Sequence, residues 1–259
     1  MIILNRNSFI TVLSTRKSGK SFLVAQLIYN FLTNPPANKC DVFYMFSNTA
    51  KFEEGGNYTF LDRRCIFPAD HETVDRVIMR LFEIQKSTKN KFHILLVFDD
   101  IDLSKKYDQS IDKLAYQGRH YGMTCILSAQ IATCAVSPAI RNNSTYLFFR
   151  KLTADVLKRL IYQMIYNTDF KSAEEFKDFV YANNEDYQFL FYDNDGDKKS
   201  LKIVKAEPVP KDFQYKCKEP EKKGQKKVKF TTDIPLYTGN PKQYEKGQDI
   251  RHDQRPTKK

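Results

Sequence analysis

Apolar residues along this chain alternate between two arrangements. Short, nearly unbroken runs such as "FITVL", "VFYMF", "HILLVF" and "YLFF" are separated by stretches in which apolar positions recur every three or four residues. The runs predict strands buried on both faces of a parallel sheet, and the periodic stretches predict the helices that cover it. Strands are expected at residues 9–13, 41–46, 64–67, 92–98, 124–128 and 146–149, and helices at 20–32, 72–86, 109–121, 154–166 and 173–182. The stretch "YQFLFYDNDGDKKSLKIVKA" then reads as two strands joined through an Asn-Asp-Gly turn, placed at a sheet edge. The predicted class is α/β, with a mostly parallel central sheet flanked by helices and a carboxyl-terminal hairpin.

After residue 204 the pattern dissolves. Residues 205–259 hold 15 Lys/Arg against 8 Asp/Glu, with six scattered prolines, and supply most of the net charge of +11. Such a segment buries too little apolar surface to fold by itself. One domain at 1–204 and a basic, mostly irregular tail at 205–259 are therefore expected. The charge favours polyanionic partners, nucleic acid first. Apolar runs fall short of the roughly 20 residues that span a bilayer, and the amino terminus lacks the charged-then-apolar pattern of a secretory signal, so no membrane partner is expected. The five cysteines are odd in number and form no Cys-x-x-Cys pair. Neither a disulfide framework nor a zinc site is expected, and the thiols read as small apolar fillers in a reducing compartment.

The turn between the first strand and the first helix carries the chemistry. It reads Ser14-Thr15-Arg16-Lys17-Ser18-Gly19-Lys20-Ser21, which fits the phosphate-binding pattern G-x-x-x-x-G-K-[ST] everywhere except at its first glycine. In such a loop successive amides and the positive end of the following helix hold phosphate oxygens. Gly19 lets the backbone approach, Lys20 reaches the β- and γ-phosphates, and the Ser21 hydroxyl is a Mg2+ ligand. Ser14 is compatible with the pattern where the backbone needs no positive φ. The run "HILLVFDDID" brings Asp99 and Asp100 to the carboxyl end of a strand, where open α/β sheets bind ligands. Asp99 would hold Mg2+ through water and Asp100 would polarise an attacking water, with Asp102 as the substitute base. The plainer alternative is that these carboxylates only cap a turn. "GMTCILSAQ" ends another strand in Gln130, which would sense the γ-phosphate or orient water, or else be a satisfied polar strand end. His120 reads as structural, and Arg141 falls in a loop before the strand "TYLFFR".

Taken in order, "LSTRKSGKS", "LLVFDD", "GRHYGMTCILSAQ" and "AIRNNSTYLFFR" resemble the poxvirus-type DNA-packaging ATPases of large DNA viruses and their satellite viruses, a branch of the FtsK/HerA superfamily. The similarity spans residues 9–150. It implies a RecA-like ATPase that pushes double-stranded genomic DNA into a preformed capsid, using ATP and Mg2+, as a homo-oligomeric ring of five or six subunits. It implies nucleotide contact from Gly19, Lys20 and Ser21, metal and water handling by Asp99 and Asp100, sensing by Gln130, and an arginine acting across a subunit boundary. Arg141 fits that last role best, and Arg119 second. A capsid or portal-vertex protein would be the docking partner, and the cytoplasm of an infected cell, its viral factory, or the virion the location. Arg16 inside the loop also resembles the phosphate loop of bacteriophage terminase large subunits, but about 55 loosely patterned residues after 204 are too few for their nuclease domain.

Two other classes fit parts of the pattern. A nucleoside or nucleotide kinase joins a phosphate loop to an α/β sheet but needs an arginine-rich lid, and no compact arginine cluster of that kind occurs. A non-hydrolysing DNA-binding assembly protein would explain Ser14 and the short Asp100.

Overall fold

Eight strands form one sheet: β1 (Phe9–Ser14), β2 (Val42–Phe46), β3 (Ile66–Phe67), β4 (Ile94–Asp99), β5 (Met123–Gln130), β6 (Tyr146–Arg150), β7 (Gln188–Asp193) and β8 (Ser200–Lys205). Their order is β3-β2-β4-β5-β1-β6-β7-β8. Strands β3 through β6 run parallel, and β7 and β8 add the antiparallel hairpin at one edge. The computed structural model describes residues 4–33, 40–52, 56–101, 108–130, 137–150, 152–153, 170–183, 185–195 and 200–216. Its helices are α1 (Lys20–Thr33), α2 (Asn48–Phe52), α3 (His71–Ser87), α4 (Asp108–Gln117), α5 (Pro138–Asn143) and α6 (Ala173–Ala182). The helix expected at 154–166 and the tip of the hairpin lie outside the described residues.

Alternation along each central strand sends successive side chains to opposite faces, and the buried residues divide accordingly. Phe9, Leu13, Leu96, Phe98, Leu127 and Phe149 pack with α3, α4 and α6. Ile10, Val12, Leu95, Val97, Ile126 and Phe148 pack with α1, whose Leu23, Val24, Leu27 and Ile28 are wholly enclosed. Both faces are covered, which explains why these strands read as continuous apolar runs.

Local corrections to the sequence reading have local causes. The strand expected from Arg64 begins only at Ile66, because Asp62 caps a 3-10 turn over Arg63–Cys65 by accepting from the Arg64 amide at 3.1 Å. The helix expected to reach 121 ends at Gln117, and a 3-10 turn, Gly118–Tyr121, finishes it. Gly122 closes that turn at φ +67, where a Cβ would lie 2.9 Å from the Phe92 carbonyl oxygen. Cys65 is disulfide-bonded, contrary to the expectation of reduced fillers, while neither Cys40 nor Cys125 is in a disulfide.

Residues 206–216 lack regular structure but pack against the core. The Tyr215 amide donates to the Phe60 carbonyl at 2.8 Å, and the Asp62 amide donates to the Tyr215 carbonyl at 3.0 Å. Phe213 lies against Tyr29 and Phe60, and Tyr215 against Phe43. This stretch thus shields the α1 face, and residues 217–259 lie outside the described residues. Among the described residues no helix is long and apolar enough to cross a membrane.

Candidate functional site

The register of the sheet brings the ends of four parallel strands to one crest. Ser14 pairs with Gln130 on one side and with Arg150 on the other, and Asp99 pairs with Ser128. By the alternation already described, Ser14, Asp99, Ser128, Gln130 and Arg150 all belong to the α1 face. Strand β5 lies between β1, from which the loop leaves, and β4, which ends in the aspartates.

Ser14 is the last residue of β1 and has no positive φ; among the loop residues that conformation falls at Lys17 (φ 55) and Gly19 (φ 84). A serine replaces the usual glycine here without backbone strain. Its hydroxyl is used, since the Ser18 hydroxyl bonds it at 2.6 Å and also donates to the Thr15 carbonyl at 2.7 Å. The amides of Phe22 and Leu23 both reach the Gly19 carbonyl at 3.1 Å, starting α1 directly behind the loop. A Cβ at Gly19 would meet the Tyr187 ring at 3.0 Å, so this position requires glycine both for its φ and for space.

Lys20 is almost closed off from solvent and lies 3.6 Å from Oδ1 of Asp100. The Gln130 amide donates to the same oxygen, and its carbonyl oxygen accepts from Nε of Arg16 at 3.1 Å. A continuous polar chain thus runs from Arg16 through Gln130 and Asp100 to Lys20. Asp100 sits at φ 54, a left-handed conformation uncommon outside glycine that concentrates at functional sites. Arg16, Lys17, Ser21, Tyr58, Asp100 and Gln130 share the wall of a cavity of about 460 Å³.

Asp99 is fully buried. Its Oδ2 accepts from the Tyr58 hydroxyl at 2.5 Å, whereas its Oδ1 has no partner, nor does the hydroxyl of its register neighbour Ser128. Burial, and next the Asp99 carboxylate, push the Tyr58 phenol well above its ordinary pKa, so it stands as a proton donor. Bare buried oxygens normally find partners. Two of them, on paired residues of neighbouring strands, are hard oxygen donors of the kind that suits Mg2+, which is bound by one or two carboxylates together with substrate phosphates.

Sequence reasoning missed two residues. Tyr58 belongs to no motif and reaches Asp99 across 41 positions of chain. Arg150 carried a signal, a charge closing the buried run "YLFF". It is 4% exposed, its Nη1 donates to the Ser18 carbonyl at 2.5 Å and its Nη2 to Asp186 at 3.0 Å, so it holds the phosphate loop from below.

The two candidate arginines lie elsewhere. Arg119 is exposed in the 3-10 turn before β5, and Arg141 is half-buried on α5 rather than in the expected loop. Both precede the amino ends of their strands. Arg119 shares a narrow cleft with Ser8, Phe9, Asn143 and Thr145 at the sheet edge opposite the phosphate loop. A strand of eight residues spans roughly 26 Å at about 3.3 Å per residue, which keeps Arg119 out of its own nucleotide site. Asp102 lies outside the described residues.

No family model matches the chain. The uncharacterized protein L437 of Acanthamoeba polyphaga mimivirus is 24% identical over 223 residues, covering 81% of this chain and 76% of that protein. B204, the DNA-packaging ATPase from Sulfolobus turreted icosahedral virus, is 18% identical, with a TM-score of 0.52 over 80% of this chain and 100% of its own. B204 of Sulfolobus turreted icosahedral virus 2, a genome packaging NTPase solved with ATP-gammaS, is 16% identical with a TM-score of 0.55 over the same shares. The fold is the one these packaging ATPases share. A bacterial protein has it too: ATPases 2 and 3 of EssC from Geobacillus thermodenitrificans are 14% identical, with a TM-score of 0.53 over 96% of this chain and 46% of that one. The resemblance drawn from the motifs is thus matched at the level of fold.

Proposed function

We propose that this protein is a Mg2+-dependent ATPase that acts as a homo-oligomeric ring and drives double-stranded viral DNA into a preformed capsid. The observation that carries the reading is the convergence of Lys20, Ser21, Asp99, Asp100 and Gln130 on one crest beside a single cavity.

The roles follow from charge and reach. Without nucleotide, Lys20 is balanced by Asp100. A triphosphate in the loop offers Lys20 a stronger anionic partner, and Asp100, released, is the carboxylate placed to orient a water for in-line attack on the γ-phosphate. Ser21 and the bare Oδ1 of Asp99 would hold Mg2+, which supplies neutralisation of the charge developing on the phosphate oxygens. Gln130, bonded to both Asp100 and Arg16, transmits the state of the γ-phosphate to the loop. Arg119 faces away from its own site, and α5 leads into the same far edge. That placement supports an arginine offered to a neighbouring subunit. The net charge and the printed role of B204 support duplex DNA as the substrate.

A kinase would present its second substrate at the γ-phosphate; the bonded pair of Asp100 and Gln130 supports a water there instead. Phosphate release from Mg2+ and ATP, with and without long duplex DNA, tests the reading. Release stimulated by DNA is expected. Transfer to a nucleoside without release would establish the kinase, and binding without either would leave an assembly protein.

A further inference from the structure

In P-loop ATPases the loop hydroxyl and the strand-end aspartate act on one Mg2+. Here a third hydroxyl reaches that aspartate: Tyr58 donates to Oδ2 of Asp99 at 2.5 Å and lines the same cavity as Ser21. We propose that Tyr58 is a positioning residue for the metal, holding Oδ2 of Asp99 so that the bare Oδ1 is the atom left for the Mg2+ that Ser21 would share. The inference rests on the proposed reading of Ser21 and Asp99 as the metal-holding pair.

Donor counting fixes the direction of the bond. A carboxylate only accepts, so the Tyr58 proton is the one shared with Asp99 Oδ2 at 2.5 Å. Asp99 has committed Oδ2 and keeps Oδ1, which is buried without a hydrogen-bond partner.

An opposite role, in which Tyr58 fills the metal's place and must swing out, agrees less well with how the residue is held. Its ring belongs to the α1-face core at 9% exposure. The Leu61 amide donates to the Tyr58 carbonyl at 3.0 Å, and Phe60 and Asp62 are tied by main-chain bonds to Tyr215. Releasing the phenol would expose an aromatic ring and strain an anchored segment.

The test uses Mn2+ as a spectroscopic stand-in for Mg2+, titrated by electron paramagnetic resonance into the full chain with saturating ADP. Asp99→Asn should lose most of the Mn2+ affinity. Tyr58→Phe should lose about tenfold, as partners of metal ligands typically do, with a cooperative thermal transition showing that it is folded. The double variant should bind no worse than Asp99→Asn alone, because Tyr58 acts through Asp99. Wild-type or tighter binding by Tyr58→Phe, beside a weakened Asp99→Asn, overturns the positioning role while sparing the metal assignment. Wild-type binding by Asp99→Asn overturns that assignment and the positioning role with it. Site-specific 3-fluorotyrosine at position 58 keeps the phenol and does not depend on the variant folding. Its fluorine resonance should stay at a buried shift when Mg2+ and ADP are added, and movement to the solvent-exposed value would show the phenol leaving.

Discussion

The Lys20 ammonium lies 3.6 Å from Oδ1 of Asp100, although one residue starts α1 and the other follows β4. Lys20 is 7% exposed and Asp100 33% exposed. The pair joins the two halves of the site, and in the proposed mechanism the anion that holds Lys20 decides whether Asp100 is available to water.

Separate roles for these residues predict separate defects. Lys20→Ala should abolish turnover and weaken nucleotide binding, since it removes the phosphate contact itself. Asp100→Asn should bind nucleotide normally while hydrolysis falls about 10²- to 10⁴-fold, the usual worth of a positioned acid or base. Fluorescent-nucleotide binding and single-turnover hydrolysis measure the two effects independently. Full turnover by either variant would contradict the assignment.

Arg150 predicts a loop defect without direct contact with substrate. Arg150→Ala leaves the buried Ser18 carbonyl without its donor, which costs about 1–3 kcal/mol. The unfolding midpoint should fall and nucleotide affinity should weaken with it. Asp186 is 85% exposed, and exposed ion pairs contribute little, so Asp186→Ala should change neither quantity appreciably. Equal losses in both variants would mean that the ion pair, not the carbonyl contact, holds the loop.

The contrast between these residues shows what the sequence could disclose. Lys20, Ser21 and Asp99 were legible because chain spacing alone places them: a strand, a tight turn and a helix bring Lys20 and Ser21 to the start of α1 behind the loop, and an apolar run must end before its first carboxylate. Gln130 was legible once β5 was taken as the neighbour of β4, which the register Asp99↔Ser128 shows. Tyr58 was not, because its position depends on how the segment after α2 folds back under Tyr215, a contact between distant stretches with no periodic signature. The helix carrying Arg141 is six residues long, too short to show a repeat, and only Ser137 and Pro138 at its start hint at it. The segment at 206–216 was hidden by its prolines and charges, since its packing rests on a few aromatic anchors rather than on a pattern.

That packing changes where the basic tail is best removed. Residues 217–259 hold 12 Lys/Arg against 6 Asp/Glu, so a chain ending at Lys216 loses most of the excess charge and keeps Phe213 and Tyr215 on the core. It should retain basal ATPase activity while binding duplex DNA more weakly and with a smaller dependence on salt. A chain ending at Val204 should in addition lose stability, because Tyr29, Phe43 and Phe60 are uncovered. Fluorescence anisotropy at several salt concentrations, with thermal melts, separates the effects. Unchanged DNA affinity in the shorter chain would assign the tail to solubility or to another partner.

The ring gives the sharpest prediction, because neither a kinase nor a lone binding protein requires a neighbour. Arg141 lies on α5 and Arg119 in the turn before β5, both ahead of the amino ends of their strands, while the phosphate loop occupies the carboxyl ends. An arginine that stabilises the γ-phosphate in the transition state is worth roughly 10³ or more in rate. Arg141→Ala should therefore depress hydrolysis by about that factor and leave nucleotide binding nearly intact. Mixing then distinguishes action across a boundary from a local disturbance. A Lys20→Ala subunit has a dead pocket but an intact Arg141, and an Arg141→Ala subunit has a sound pocket but no arginine to offer. Co-assembled, they create boundaries at which a sound pocket faces an intact arginine, and activity should rise above that of either variant alone. Mixed assemblies confirmed by mass that show no recovery would exclude Arg141 as the group acting in trans, and Arg119→Ala in the same mixture would then decide whether the second arginine supplies it.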